Sequence, residues 1–234
     1  RHLAERETRI DAAHLQALGE RYPLTFHGVG LSIGSESTLN LEYLNALKTL
    51  ADKHQAVWVS DHLSWSNFQG ERSHDLLPLP YTEEVLKRIC LQVKQAQNVL
   101  ERPLLLENIS AYYEDPNNTK HEADFLNELC TETGCHILLD LNNLYVNHKN
   151  LGYDIELYLD TLNFDYVKQL HLGGHEQRGD LLVDTHGASI CDEVWEIYRL
   201  IMAQHGDITT LIEWDNNVPA LDTLMIERDK AERI

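Results

Sequence analysis

Basic residues are scarce in this chain: 19 Lys and Arg stand against 38 Asp and Glu in 234 residues, a formal net charge of -19. Such a field repels phosphate backbones and argues against nucleic acid as a partner. Cysteine is scarce too. Cys90, Cys130, Cys135 and Cys191 form no C-x-x-C pair and read as reduced thiols of a cytoplasmic protein. Long apolar runs are lacking: none approaches the roughly 18 residues of a membrane span, and no signal peptide opens the chain. No linker, low-complexity stretch or sequence-level repeat divides it. What is present is a hydrophobic content of 43%, enough for one substantial core in one α/β domain.

Six short apolar segments each end in a residue able to bind a metal. They are LTFHGVG with His27, VWVSDHL with His62, PLLLENI with Glu107, HILLDLNN with Asp140, VKQLHLGGH with His171 and TTLIEWD with Glu213. They recur at intervals of roughly 30–45 residues, each long enough for a strand plus a crossover helix. A polar ligand at the carboxyl end of successive buried strands is how an α/β barrel builds an active site.

The periodicity predicts a helix over 3–20, a strand over 24–32, a helix over 40–54 and a strand over 56–61. Gly70, Pro78 and Pro80 point to an irregular loop over 64–80, of a length that tends to be functional at the active face of a barrel. Thr82 caps a helix over 83–100, and Glu83 and Glu84 suit its dipole. Strand–helix pairs follow at 103–108 and 120–133, 136–142 and 154–162, 166–172 and 192–205, and 208–214 and 218–232. A closed barrel of this class has eight such units, and six are read here. The expectation is one TIM-type (β/α) barrel domain over residues 1–234, short of about two N-terminal strand units, or about 60–80 residues. The competing reading is an open six-stranded parallel sheet.

Asp140 and Glu107 each follow three apolar strand residues. Burying a bare carboxylate there is costly without a strong partner. No Lys or Arg lies in those strands, so a metal ion is the simplest partner. A second cluster, His175, Asp184 and His186, lies in HLGGHEQRGDLLVDTHG. Asp184 and His186 alternate along a short extended run and are expected on one face. Asn143, three residues after Asp140, is expected to face the same cavity. These donors are nitrogen and oxygen without thiolate, a set that suits iron(II), manganese or zinc, and Glu107 can bridge two ions. Asp215, two residues beyond Glu213, is a candidate for proton transfer or for support behind the ligands. His175 is a candidate for orienting a ligand or touching substrate, its direction left free by Gly173 and Gly174. Asp61 and Asn108 are expected to turn away into supporting hydrogen bonds. Tyr112, Tyr113 and Tyr145 are candidates for a peptide groove or for packing.

The motifs HGVGLSIGS, SDHLSWS, HDLLPLPYTEE, LLLENISAYY, GCHILLDLNNLYVN, HLGGH, VDTHG and IEWDNNVP resemble those of the multinuclear non-heme iron-dependent oxidase family, long labelled a domain of unknown function. The resemblance runs from about residue 20 to the C-terminus, without a counterpart of the family's first two strand units. It implies a TIM barrel related to the xylose-isomerase-like metalloenzymes, holding two or three iron ions, with zinc or manganese as substitutes. It also implies O₂-dependent oxidative modification of a ribosomally made peptide, typically at cysteine, often with a small partner protein that recruits the precursor. By resemblance, one ion sits at His27, His62 and Glu107. A second shares Glu107 and adds Asp140, His171 and Glu213. A third uses Asn143, Asp184 and His186. In the similar apurinic-endonuclease branch a His stands in the place of Asn143, and a neutral amide there implies a weaker third ion.

Two other classes stay open on the residues alone. A hydrolase or sugar isomerase could use the same cage with zinc or manganese, activating water or polarising a hydroxyl. A noncatalytic peptide-binding module with a structural metal is the other, although such sites are usually four-coordinate and often rich in thiolate.

Overall fold

The computed structural model describes residues 9–68 and 71–234. The chain runs through α1 (Arg9–Gly19), β1 (Thr25–His27), α2 (Leu41–Lys53), β2 (Trp58–His62), β3 (Trp65–Phe68), β4 (Glu71–Leu77), α3 (Glu83–Leu100), β5 (Leu105–Glu107) and α4 (Glu122–Thr133). It continues through β6 (His136–Asp140), α5 (Leu141–Leu151), α6 (Ile155–Thr161), a 3-10 turn at Phe164–Tyr166, β7 (Val167–Leu172), β8 (His175–Arg178), β9 (Leu181–Asp184), α7 (Asp192–His205), β10 (Thr210–Ile212) and α8 (Leu221–Ala231).

β1, β2, β5, β6, β7 and β10 form one sheet in that order, every pair parallel. Sequential order with a crossover at each step keeps the helices on one face, the winding of a (β/α) barrel; a doubly wound sheet would reverse its order partway. The winding is that of part of a barrel, and among the described residues the six parallel strands stay unclosed, as the open-sheet reading had them. β1 and β10 are the edges, and among the described residues they do not pair with each other.

Strand alternation separates two environments. Val59, Leu106, Ile137, Leu139, Leu170 and Leu172 join the apolar core shared with the helices. Their neighbours Ser60, Leu105, Leu138 and Gln169, also buried, lie on the opposite, inner face. His62, Glu107, Asp140 and His171 fall on that inner face, two residues further along. Parallel register sets His62 beside Glu107 and Asp140 beside His171. The ligand candidates therefore gather at one end of the sheet.

Several helices match their predicted limits because their end signals are local. Thr82 and Asn40 accept from Val85 N and Tyr43 N, and Gly134 closes α4 in the left-handed region at φ 70°. The structure corrects the sequence reading elsewhere. Of the helix expected over 3–20, residues 3–8 lie outside the described residues. The first strand ends at His27 rather than 32; Gly28 follows beneath Tyr43, where a Cβ would collide with Tyr43 Oη. The expected loop over 64–80 is an antiparallel hairpin, β3–β4; Pro78 and Pro80 fall after it, where they break no ladder. The strand expected to 142 stops at Asp140, whose carboxylate accepts from Asn143 N at 2.6 Å and starts α5, a helix the reading missed. Asp184 closes β9, whereas His186 lies beyond it at φ 41°. The two converge through a turn, not through alternation along a strand.

Candidate metal centre

Three groups of potential ligands meet at the carboxyl end of the sheet. In the first, His27 Nε2 and His62 Nε2 lie 3.2 and 3.3 Å from Glu107 Oε2, and 3.3 Å from each other. In the second, His171 Nδ1 lies 3.3 Å from Glu107 Oε1 and 2.9 Å from Glu213 Oε2, with Asp140 in the same group. The third centres on His186. Its Nδ1 is 3.1 Å from Glu213 Oε2 and 3.6 Å from Asp215 Oδ2. Its Nε2 is 3.1 Å from Asp184 Oδ1 and 3.4 Å from Asp140 Oδ2. Glu107 thus turns one oxygen to each of two groups, and Glu213 joins the second to the third.

These distances fit ligands of shared ions. Donors about 2.1 Å from one ion stand roughly 3.0–3.4 Å apart in octahedral or tetrahedral arrangements. Glu107 Oε2, Asp140 Oδ2, His171 Nδ1, His186 Nε2 and Asn143 Oδ1 are all buried without a hydrogen-bond partner, although several have donors or acceptors within 3.4 Å. Atoms aimed at a common point, rather than along one another's hydrogen-bond axes, give that pattern. Asn143 donates its amide to Asn108 O at 3.0 Å, which leaves Oδ1 as its free donor.

Electrostatics agree. Burial, then the neighbouring His171, lowers His27 to about 4, so it is neutral at ordinary pH. Burial and His27 hold His62 well below its usual value. Neutral imidazole is the form that binds metal. His27 Nδ1 lies 2.8 Å from Ser60 Oγ; in the tautomer with its proton on Nδ1, Ser60 accepts that proton and Nε2 is bare toward the centre. Burial pushes Glu107 up to about 7 against the pull of His171. Burial opposes charge on His171 and His186, yet the carboxylates around them win: Glu107 and Glu213 raise His171 to about 10, and Asp140 leads in raising His186. Protons on these rings offset the carboxylates in the ion-free chain, and a cation would take their place.

A cavity of about 760 Å³ opens over the three groups, bounded by Ser66, Ser73 and Asp75 of the β3–β4 hairpin and by Tyr112 and Asp215. No Lys or Arg is among its described lining residues. Asp215 is 62% exposed at its mouth. His175 stands behind the wall instead, its Nδ1 2.8 Å from Asn142 Oδ1 and its ring against Tyr145. Asp61 turns away, accepting from Tyr43 Oη and Leu31 N, and Asn108 pairs with the Asp140 backbone. Tyr112 Oη accepts from Asp184 N. Three supporting residues escaped the sequence reading: Ser60, Gln169, whose amide nitrogen is 3.3 Å from His171 Nε2, and Asn142. The first two carried a signal, since each is a polar residue two positions before a ligand on a buried strand.

Fold and site define a barrel-type α/β protein with a candidate nitrogen–oxygen metal centre at its strand ends. The chain belongs to the family described as RiPP precursor modification enzyme MbnB/TglH/ChrH, which matches residues 4–234. A UPF0276 protein of Caulobacter vibrioides is 47% identical over 217 residues, 93% of this chain and 78% of the relative. One from Acaryochloris marina is 45% identical over 219 residues, covering 94% and 79%. Among solved structures, endonuclease IV from Thermus thermophilus aligns with a TM-score of 0.62 at 18% identity, over 97% of this chain and 83% of that one. A xylose isomerase domain protein from Planctomyces limnophilus aligns with 0.57 at 15% identity, covering 100% and 87%. At such identities the likeness is one of fold, and it is that of xylose-isomerase-like TIM barrels.

Proposed function

We propose that the protein is a multinuclear iron-dependent oxidase that uses O₂ to modify a ribosomally made peptide, at cysteine. One observation carries this reading: Glu107 presents its two oxygens to two separate ligand groups, in a chain whose family modifies ribosomal peptide precursors. A shared carboxylate couples neighbouring ions, a design suited to electron transfer and superfluous for a lone structural ion.

His27, His62 and Glu107 make up a two-histidine, one-carboxylate face, the donor set of non-heme iron oxygenases with open positions. Asp140, His171, Glu107 and Glu213 would hold a second ion. Asp184 and His186, with the free Oδ1 of Asn143, would hold a third, weaker one. Iron bound to these residues supplies redox capacity that no side chain has. The chain's own groups do the rest. Ser60 Oγ, 2.8 Å from His27 Nδ1, would hold that ring in the tautomer that leaves Nε2 free. The peptide would enter the cavity of about 760 Å³ beside the β3–β4 hairpin residues Ser66, Ser73 and Asp75. Asp215, exposed beside His186 Nδ1, accepts and returns the proton of the reacting group. A small partner protein would deliver the precursor peptide. Four free cysteines suit a reducing cytoplasm.

The test is anaerobic purification followed by metal analysis and iron paramagnetic-resonance or Mössbauer spectroscopy. The expected result is two or three irons per chain with a coupled mixed-valent signal that Glu107→Ala abolishes. Stoichiometric zinc or manganese without redox response would replace this reading with a hydrolase or isomerase, and a chain that binds no metal would end it.

A further inference from the structure

Asp184 reaches the centre from a thin support. It closes β9 in the two-stranded β8–β9 hairpin, whose far end, from Gln177 to Leu181, is exposed. A carboxylate in such a place holds its direction only if something outside the hairpin grips it.

Asn142, fully buried near the start of α5, supplies that grip. Its Nδ2 donates to Asp184 Oδ1 at 2.9 Å, the oxygen that lies 3.1 Å from His186 Nε2. Its Oδ1 faces His175 Nδ1 at 2.8 Å. His175 and Asp184 are direct cross-strand partners, so one amide bridges the open end of the hairpin. The proton positions follow from the chemistry of the three groups. An ionised carboxylate only accepts, so Asn142 must turn its NH₂ to Asp184. Its carbonyl then meets His175, whose Nδ1 must carry a proton. Tyr145, 5.4 Å from the His175 ring, fixes that ring in place. Asn142 is the nearer of two side chains outside the hairpin that donate to the Asp184 carboxylate, Ser110 Oγ lying 3.4 Å from Oδ2.

We propose that Asn142 is a positioning residue that aims Asp184 at the ion beside His186, and that His175 locks Asn142 in the orientation required. This rests on the metal-centre reading above. It gives His175 a role behind the cavity wall rather than at the reacting atoms. Removing a partner of this kind typically weakens metal binding about 10–100-fold.

The experiment titrates the metal-free chain with Co²⁺, following visible absorption and competition with a chelator, and records the melting temperature without metal. Asn142→Ala and His175→Phe are expected to weaken the last-filled site about 10–100-fold while the tighter sites keep the parent affinity. His175→Gln, whose amide N–H can still donate to Asn142, is expected to restore the last site. His175→Phe preserves the ring packing and carries the test where Asn142→Ala fails to fold. Parent-like Co²⁺ affinity in both variants would overturn the proposal alone. So would a metal-free melting temperature lowered alike in His175→Phe and His175→Gln, which marks a merely structural pin. A parent chain that takes up no Co²⁺ would overturn the metal reading and the proposal together.

Discussion

At the scale of single residues, polar groups inside this protein divide by what they face. Those on the inner strand face point to the centre; Glu122 does not. It begins α4, is fully buried, and accepts from Tyr81 Oη at 2.6 Å. Burial raises its carboxyl from 4.5 to about 7, against the opposing pull of Tyr81. Below about pH 4.5 the group is protonated in both folded and unfolded chains. Between 4.5 and about 7 the folded chain keeps a proton that the unfolded chain has released, so stability falls as pH rises. The shift corresponds to roughly 3 kcal/mol, fully lost above that window. Glu122→Gln keeps an acceptor for Tyr81 and has no charge to bury. Its melting temperature should match the parent at pH 4 and exceed it at pH 8. Parallel pH profiles would mean that Glu122 carries no such penalty.

At the scale of elements, α5 does more than cross from strand to strand. Four asparagines in LNNLYVNHKN grip two segments. Asn143 and Asn147 hold the chain after β5: Asn147 accepts from Ala111 N at 2.7 Å and donates to Ile109 O at 2.9 Å. Asn142 and Asn150 hold the β8–β9 hairpin, Asn150 pairing both ways with the Leu182 backbone. Asn147→Ala would leave a buried N–H and a buried C=O unpaired, each at a cost of about 1–3 kcal/mol. A urea titration should show a clearly lower midpoint with an unchanged slope, and an unchanged midpoint would show that the loop re-pairs without the helix. α5 was invisible to hydrophobic periodicity because its buried side includes these amides. Its capping residue, Asp140, also reads as the end of a strand. The hairpins escaped for a related reason: β3–β4 and β8–β9 are stretches rich in polar residues that lack a clean alternation, and turn residues nearby read as loop.

At the scale of the molecule, acidic groups outnumber basic ones two to one, and several of the carboxylates converge on one cavity. Ions that bind the folded centre and not the unfolded chain stabilise the fold by about 2.7 kcal/mol at a hundredfold excess over the dissociation constant. For a chain of this size that is a rise in melting temperature of roughly 5–10 °C. Calorimetry with Mn²⁺ added to the metal-free chain should show this rise, reversed by chelator and not reproduced by sodium chloride of equal ionic strength. An equal rise with sodium chloride would assign the effect to screening of surface charge.

The succession of parallel strand–helix units, the caps at Thr82 and Asn40, and the placement of His62, Glu107, Asp140 and His171 at strand ends were legible in the residues, because apolar runs, capping side chains and strand length are local. How the groups divide was decided only by the folded chain. Register set His62 beside Glu107 and Asp140 beside His171. A left-handed turn brought His186 back to Glu213 and Asp184, and Gly173 left room for its ring. Asn142 and His175 took their places behind Asp184 only when α5 met the hairpin. Contacts between segments far apart in sequence depend on sheet register and close packing, and neither is written in any one segment.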